Sequence, residues 1–356
     1  MALASPPALP GAALAAAGVI ALAAEQGGYA TSAWRAGAVA FAAAAGLFAL
    51  WRPVRISWRT AAPPALLAAL ALWSLLSATW SVSPSASTLD VQRTLLYLAA
   101  AVAFALAGEG LTVGVLGGAT IVAMWALGDR LINGAPIDTY EGRLLTGPIG
   151  YANGLAALLA IGIAISVALT VRRRYLAAVP LVVLVPALLL TNSRAAEAAC
   201  AVGVIVALGR RRLSAAVVVA SALALTAILL FTPNSLGDRV SYWGAARHIG
   251  AAHPLAGAGA GTFHVEYTQL PPGHDAHSLY LQAFAELGVV GLVLVIALVA
   301  LPLALAIHRG LPVAAAGLTV FALHAGLDWD WQLPVVAVAG LALIASATNP
   351  GPLEVR

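Results

Sequence analysis

Residues 279–307 read LYLQAFAELGVVGLVLVIALVALPLALAI, and from Leu287 to Ile307 the run carries no charged side chain. A bilayer core about 30 Å thick needs about 20 such residues per helix, so this stretch reads as a membrane span rather than the core helix of a soluble domain. Working outward, similar runs bounded by Gly, Pro, Arg or polar clusters lie near 8–24, 34–51, 63–80, 91–108, 111–128, 151–171, 175–191, 195–209, 213–231, 311–327 and 333–348. The expected fold is therefore all-α: a polytopic membrane protein of about 12 transmembrane helices, one domain over residues 1–356. Many of the runs are rich in Ala and Gly, which lets helices pack closely through small residues.

Composition agrees. Of 356 residues, 62% are hydrophobic and only 9% charged, against about a quarter charged in an ordinary soluble domain. All 18 basic residues are arginine, and the lone Cys200 excludes an intramolecular disulfide or a cysteine zinc cluster. A net charge of +4 implies no nucleic-acid partner, because arginine in so apolar a chain marks the cytoplasmic ends of spans. The first run has no positive charge before it and no clear cleavage site after it, so it is expected to be a retained helix. An even helix count with a cytoplasmic N-terminus puts Arg52, Arg55 and Arg59, then Arg172–Arg174, Arg210–Arg212 and Arg309 inside. Glu25, Asp90, Asp129, Asp138, Glu141, Asp238, Glu266, Asp275, Asp328 and Asp330 then fall in or beside outer segments.

This orientation places the longest connection, residues 232–277, outside the cytoplasm. It holds five of the seven histidines: His248, His253, His264, His274 and His277. Loops of this length are commonly functional, but the histidine spacings match no metal-binding pattern, so no metal and no cofactor is expected.

Three pieces carry candidate chemistry. Arg194, at the start of the span after Ser193, combines a guanidinium with the amides of a helix N-terminus, a setting suited to phosphate; snorkelling or pairing with Glu197 fits the same residue. Arg239, Tyr242, Trp243 and Arg247 alternate cation and aromatic, as a phosphate-facing segment or an ordinary interfacial helix would. His277 precedes the span beginning at Leu279, where the helix dipole favours a neutral imidazole able to accept a proton; a loop histidine that is merely polar is the plainer reading. His324 and Asp328, four residues apart, can orient each other or the site, or simply pack at a helix end.

In order along the chain, these pieces resemble the O-antigen ligase and polymerase-like family of bacterial envelope glycan proteins. The resemblance runs from about residue 70 to 345. It includes Trp80-Ser81-Val82-Ser83-Pro84, Gly147-Pro148-Ile149-Gly150-Tyr151-Ala152-Asn153-Gly154, Ser193-Arg194, Arg239 with Trp243, and His253-Pro254-Leu255-Ala256-Gly257-Ala258-Gly259. Ala276-His277-Ser278-Leu279-Tyr280-Leu281-Gln282, then Glu286-Leu287-Gly288-Val289-Val290-Gly291, and finally His324 and Asp328 complete it. Ser278 stands where the family often has Asn, and Ala152 where it often has Pro.

The resemblance implies a C-type (GT-C-like) membrane glycosyltransferase architecture in the bacterial cytoplasmic (inner) membrane, with its active site facing outward. It implies an inverting, metal-independent transfer from an undecaprenyl-pyrophosphate-linked glycan donor to a hydroxyl on a glycan, lipid or protein acceptor, with membrane lipid as the other partner. By resemblance, Arg194 and Arg239 hold the pyrophosphate and His277 activates the acceptor, while Asn153, Arg143, Arg247, His324 and Asp328 are expected to line the substrate cavity. A repeat-unit polymerase differs only in its acceptor. A transporter or flippase of lipid-linked glycans would need ionisable groups at mid-membrane, where the spans are nearly free of charge; a non-catalytic scaffold predicts no chemical effect of replacing His277.

Overall fold

The computed structural model describes residues 8–51, 57–134, 142–231, 238–267 and 275–351. Among these, all twelve apolar stretches are helical: α1 (Leu9–Ala24), α2 (Thr31–Trp51), α3 (Trp58–Ser77), α4 (Pro84–Ala107), α5 (Leu111–Asn133), α6 (Ala152–Thr170), α7 (Leu181–Thr191), α8 (Arg194–Leu208), α9 (Arg211–Phe231), α12 (Leu279–Arg309), α13 (Pro312–Ala325) and α14 (Pro334–Thr348). The 238–267 stretch adds α10 (Asp238–Ala252) and the single turn α11 (Phe263–Glu266). The chain is thus a polytopic all-α membrane protein.

Several helices begin before their apolar runs, and at α3 a polar cap accounts for it. The Ser57 side chain accepts from Thr60 N at 3.2 Å, starting α3 ahead of Pro63. Pro84 occupies the first turn of α4, where its missing N–H leaves no helical bond unmade.

Seven helices, α2, α3, α4, α5, α6, α9 and α12, are long and apolar enough to cross a membrane. Others fall short: α14 has 15 residues, a rise of about 22 Å. It needs no lipid contact, because every residue from Pro334 to Thr348 is buried. The helices α1, α4, α5, α12 and α13 pack around it, and its Val, Ala, Gly and Leu side chains suit close approach from all sides.

The helix ends sort by charge. Arg59 and Arg309 come close enough to repel, and Arg211 donates to His308 Nδ1 at 2.6 Å, so three of the arginine groups meet at one end of the bundle. The opposite end gathers α10, the start of α12 and the turn between α13 and α14; we call it the site end.

The 31 residues of α12 would rise about 46 Å as one straight helix. It is broken at Gly288, whose φ of 65° and ψ of −162° lie outside the helical region. The break frees carbonyls that other segments take up. Ala258 N donates to Ala285 O at 3.0 Å, Gly259 N to Glu286 O at 2.8 Å, and Trp73 Nε1 to Leu287 O at 3.0 Å. This close backbone crossing requires glycine: a Cβ at Gly257 would lie 2.2 Å from the Glu286 carbonyl carbon.

Candidate functional site

The first part of α12 carries the polar framework beneath His277. The Glu286 carboxylate accepts from Gly261 N at 2.9 Å, Phe263 N at 3.2 Å and Gln282 Nε2 at 3.1 Å. Gln282 Nε2 also donates to Asp275 Oδ1 at 2.8 Å, and its Oε1 accepts from Ala276 N at 3.3 Å. Ser278 caps the helix through its side chain. These contacts fix both sides of His277, which is held at φ 49°, in the left-handed region. Burial pushes the Asp275 carboxyl above the usual range, opposed by the Gln282 hydrogen bond and the charge of Arg93.

His277 Nδ1 lies 2.9 Å from the Asp275 carbonyl oxygen. A carbonyl only accepts, so Nδ1 carries the hydrogen and Nε2 is left as the basic nitrogen. The ring lies 5.2 Å from that of Tyr242 and 6.4 Å from that of Trp329, and its backbone carbonyl accepts from Trp243 Nε1 at 3.1 Å. Tyr242 and Trp243 thus brace the histidine from α10.

Arg239, Trp243 and Arg247 recur every four residues and share one face of α10. Arg239 Nη2 donates to Asp328 Oδ2 at 3.0 Å; the arginine side chain keeps 36% of its surface exposed while the carboxylate keeps none. Asp328 also accepts from Tyr151 Oη and Trp329 N, each at 2.8 Å. Asn153 Nδ2 donates to Tyr151 Oη at 2.9 Å. Burial, then the Asp328 charge, raise the Tyr151 pKa well above its ordinary value, so it stays a proton donor to that carboxylate. A guanidinium held by a buried carboxylate keeps its remaining N–H groups in a fixed direction for an anion.

His277, Arg239, Asp328 and, through Tyr151, Asn153 therefore converge. Arg247 lies two turns along α10 from Arg239, with Nη1 donating to the Leu229 carbonyl. Arg194 opens α8 as an exposed residue. A Cβ at Gly203 of α8 would lie 2.5 Å from Val320 and 3.1 Å from Ala316 O of α13, so the antiparallel register carries Arg194 to the level of Gly326–Asp328. Arg143 is exposed on the connection before α6, its carbonyl accepting from Arg130 at 2.8 Å.

His324 meets Asp330 rather than Asp328. Nδ1 to Oδ2 is 2.6 Å and both side chains are fully buried. The four-residue spacing fails as a helical pairing because α13 ends at Ala325, before Asp328. Burial raises the Asp330 carboxyl, with His324 opposing it. Of the other loop histidines, His248, His253 and His264 are exposed, and His274 lies outside the described residues, as do Asp138 and Glu141. Among the described residues no group of three or more His, Cys, Asp and Glu is placed to hold a metal ion.

Sequence reasoning gave no role to Tyr151, Gln282, Glu286, Trp329 or Asp330. The first three stood inside quoted motifs, but only the folded chain reveals their partners.

Fold and site together define a multi-pass membrane protein with a cationic, histidine-bearing polar site at one end of its helices. Residues 179–296 match the family model of the O-antigen ligase, and over that stretch the resemblance read from the motifs holds. The matched stretch contains Arg194, Arg239, Arg247 and His277; Tyr151, Asn153, His324 and Asp328 lie outside it. No curated protein matches the sequence.

Proposed function

We propose that this protein is a membrane glycosyltransferase that moves a glycan from undecaprenyl pyrophosphate to an acceptor hydroxyl on the outer face of the cytoplasmic membrane. The observation that carries this reading is the convergence of a histidine with a free basic nitrogen and an arginine aimed by a buried carboxylate, within a membrane protein bearing an O-antigen ligase-like segment. Arg239, assisted by Arg194, binds the donor pyrophosphate. His277 Nε2 takes the proton of the acceptor hydroxyl as its oxygen attacks the anomeric carbon. The bond from that carbon to the pyrophosphate oxygen breaks, and the electron pair leaves on undecaprenyl pyrophosphate. Attack opposite the leaving group inverts the anomeric centre.

Guanidinium groups at low-dielectric depth stabilise the charge developing on the leaving group, the role a divalent metal plays in other transferases. Asp328 and Tyr151 act as positioning residues for Arg239; Asp275 and Gln282 do the same for His277. Arg143 is a more peripheral candidate for the acceptor or the glycan, and His324 supports the turn from behind.

The test is transfer by purified protein from a synthetic undecaprenyl-pyrophosphate glycan, with all products read by mass spectrometry. Wild type should release undecaprenyl pyrophosphate and form a glycosylated acceptor, and His277→Ala should slow this by about 10²- to 10⁴-fold while donor binding persists. A chelator should leave the rate unchanged. A donor that binds and stays intact with every acceptor offered overturns the reading. A product extended by a further repeat identifies the polymerase form.

A further inference from the structure

At the end of the bundle opposite the site, a cavity of about 150 Å³ lies among the last turn of α12, the first turns of α9 and α13, the end of α8 and the connection after α6. Arg172 and Arg211 line it, so the arginine group following α6 joins the three that already meet at this end. Among the described residues no carboxylate lines it. The one other polar side chain of the lining, Ser214, has its hydroxyl hydrogen engaged by the Val206 carbonyl at 3.2 Å, which leaves the guanidiniums as the side-chain donors. The rest of the wall is apolar, built from Val206, Ile307 and Leu311 among others.

Both arginines are held in place. The end of α6 is closed by Arg172 N and Arg174 N, each donating to Leu169 O at 3.2 Å, and by Arg173 N donating to Thr170 O at 3.0 Å. This turn passes through Arg173 at φ 62°, a left-handed position that glycine would fill at less cost, yet the chain keeps three arginines in a row. Arg211 Nη2 donates to His308 Nδ1 at 2.6 Å, which fixes the direction of the guanidinium. An excess of arginine at one end orients the spans, but orientation needs neither a cavity between helices nor a histidine that aims one of the arginines.

Two guanidiniums on one acid-free cavity repel each other, and an anion between them reverses the sign of the interaction. We propose that the cavity binds the phosphate of an anionic phospholipid between Arg172 and Arg211. The apolar wall, with the exposed Leu208 and Leu213 flanking the turn from α8 to α9, meets the first methylenes of the acyl chains; basic pockets between membrane helices are a recurrent form of headgroup site. The phosphate acts as a tie. Arg172 follows α6, the most buried of the candidate spans, while Arg211 begins α9, one of the two least buried. At its other end α9 reaches the site, where the Leu229 carbonyl accepts from Arg247 and Leu225 meets Gly326. This lipid site is independent of the transfer reading.

The test separates a built site from diffuse charge. Native mass spectrometry on the full-length protein compares phosphatidylglycerol with phosphatidylcholine of the same acyl chains, and with glycerol phosphate as a chain-free probe. The variants are Arg172→Gln, Arg211→Gln and, as a control, Arg210→Gln, which removes the same charge from an exposed position outside the cavity. Wild type should bind phosphatidylglycerol at least about tenfold more tightly than phosphatidylcholine. Arg172→Gln and Arg211→Gln should each erase that preference and Arg210→Gln should keep it. In wild type alone among the first three proteins named, phosphatidylglycerol should also slow amide exchange over residues 211–222. No preference in wild type, a preference kept by both cavity variants, or its equal loss in all three variants overturns the site. Glycerol phosphate bound as tightly as the lipid overturns the lipid assignment in favour of a soluble phosphate, and exchange in α9 that ignores the lipid overturns the tie.

Discussion

Two polar clusters share the site end of the bundle and are built in opposite ways. Beneath His277, the Glu286 carboxylate has three donors and both ends of Gln282 are engaged. Around the turn from α13 to α14, His324 Nε2, Asp330 Oδ1 and Gln332 Oε1 are buried with no hydrogen-bond partner among the described residues. A fully paired buried network specifies one geometry and rigidifies it. A partly paired one leaves donors and acceptors in reserve, held in place at a cost in stability. The first cluster thus acts as a clamp on the base, and the second is a polar wall behind Asp328 that tolerates rearrangement.

The largest expected difference comes from cutting the clamp. Gln282→Leu strands Asp275 and the Ala276 amide, each worth about 1–3 kcal/mol when left buried and unpaired, and takes one of three donors from Glu286, so thermal unfolding in detergent should show a large loss of stability. A near-normal melting temperature would show that the two clusters do not differ as argued. Next, Arg239→Ala removes the cation facing the leaving group and should lower glycan transfer by about 10²- to 10³-fold, with Arg194→Ala also severe and both proteins still inserted. Wild-type turnover in either would remove that arginine from the pyrophosphate role.

A smaller effect is expected at Asp328, in front of the second cluster. Tyr151→Phe takes one of three donors from Asp328, and a loss of about 1–3 kcal/mol is expected, with transfer reduced less than by Arg239→Ala; an equal loss would place the phenol itself at the reaction. Smallest is Asp275→Asn. The raised Asp275 carboxyl keeps its proton in the folded protein at pH values where the unfolded chain has lost it, so its burial lowers stability progressively as pH rises through the folded value. Asparagine keeps an acceptor for Gln282 without the charge, and the melting temperature of Asp275→Asn relative to wild type should climb as the pH rises above the ordinary carboxylate range. A gap independent of pH would contradict the assigned shift.

The helices were legible because membrane spans are written locally: twenty apolar residues between polar boundaries suffice whatever they pack against. Hydropathy does not say which face is covered. The central windows of α6 and α9 are both apolar, yet 89% of the first and 11% of the second is buried. At the site, His277 and Arg239 were readable as unusual residue types at helix ends. Their positioning partners were not, because Tyr151 and Asp328 meet across 177 positions of sequence. Local spacing misled at His324, where the helix pattern pointed to Asp328 and the chain instead turned to present Asp330. The α10 segment read more readily as an interfacial helix than as a site, and its contact with Asp328 is what favours a role there.

The break at Gly288 has a mechanical consequence. Below it, residues 289–309 are long enough, at about 31 Å, to match the hydrocarbon core alone, while the segment above is tied to Ala258, Gly259 and Trp73. Bilayers of different thickness are therefore met by tilting the lower piece, and the spacing between His277 and Arg239 is set by protein contacts rather than by the lipids around them.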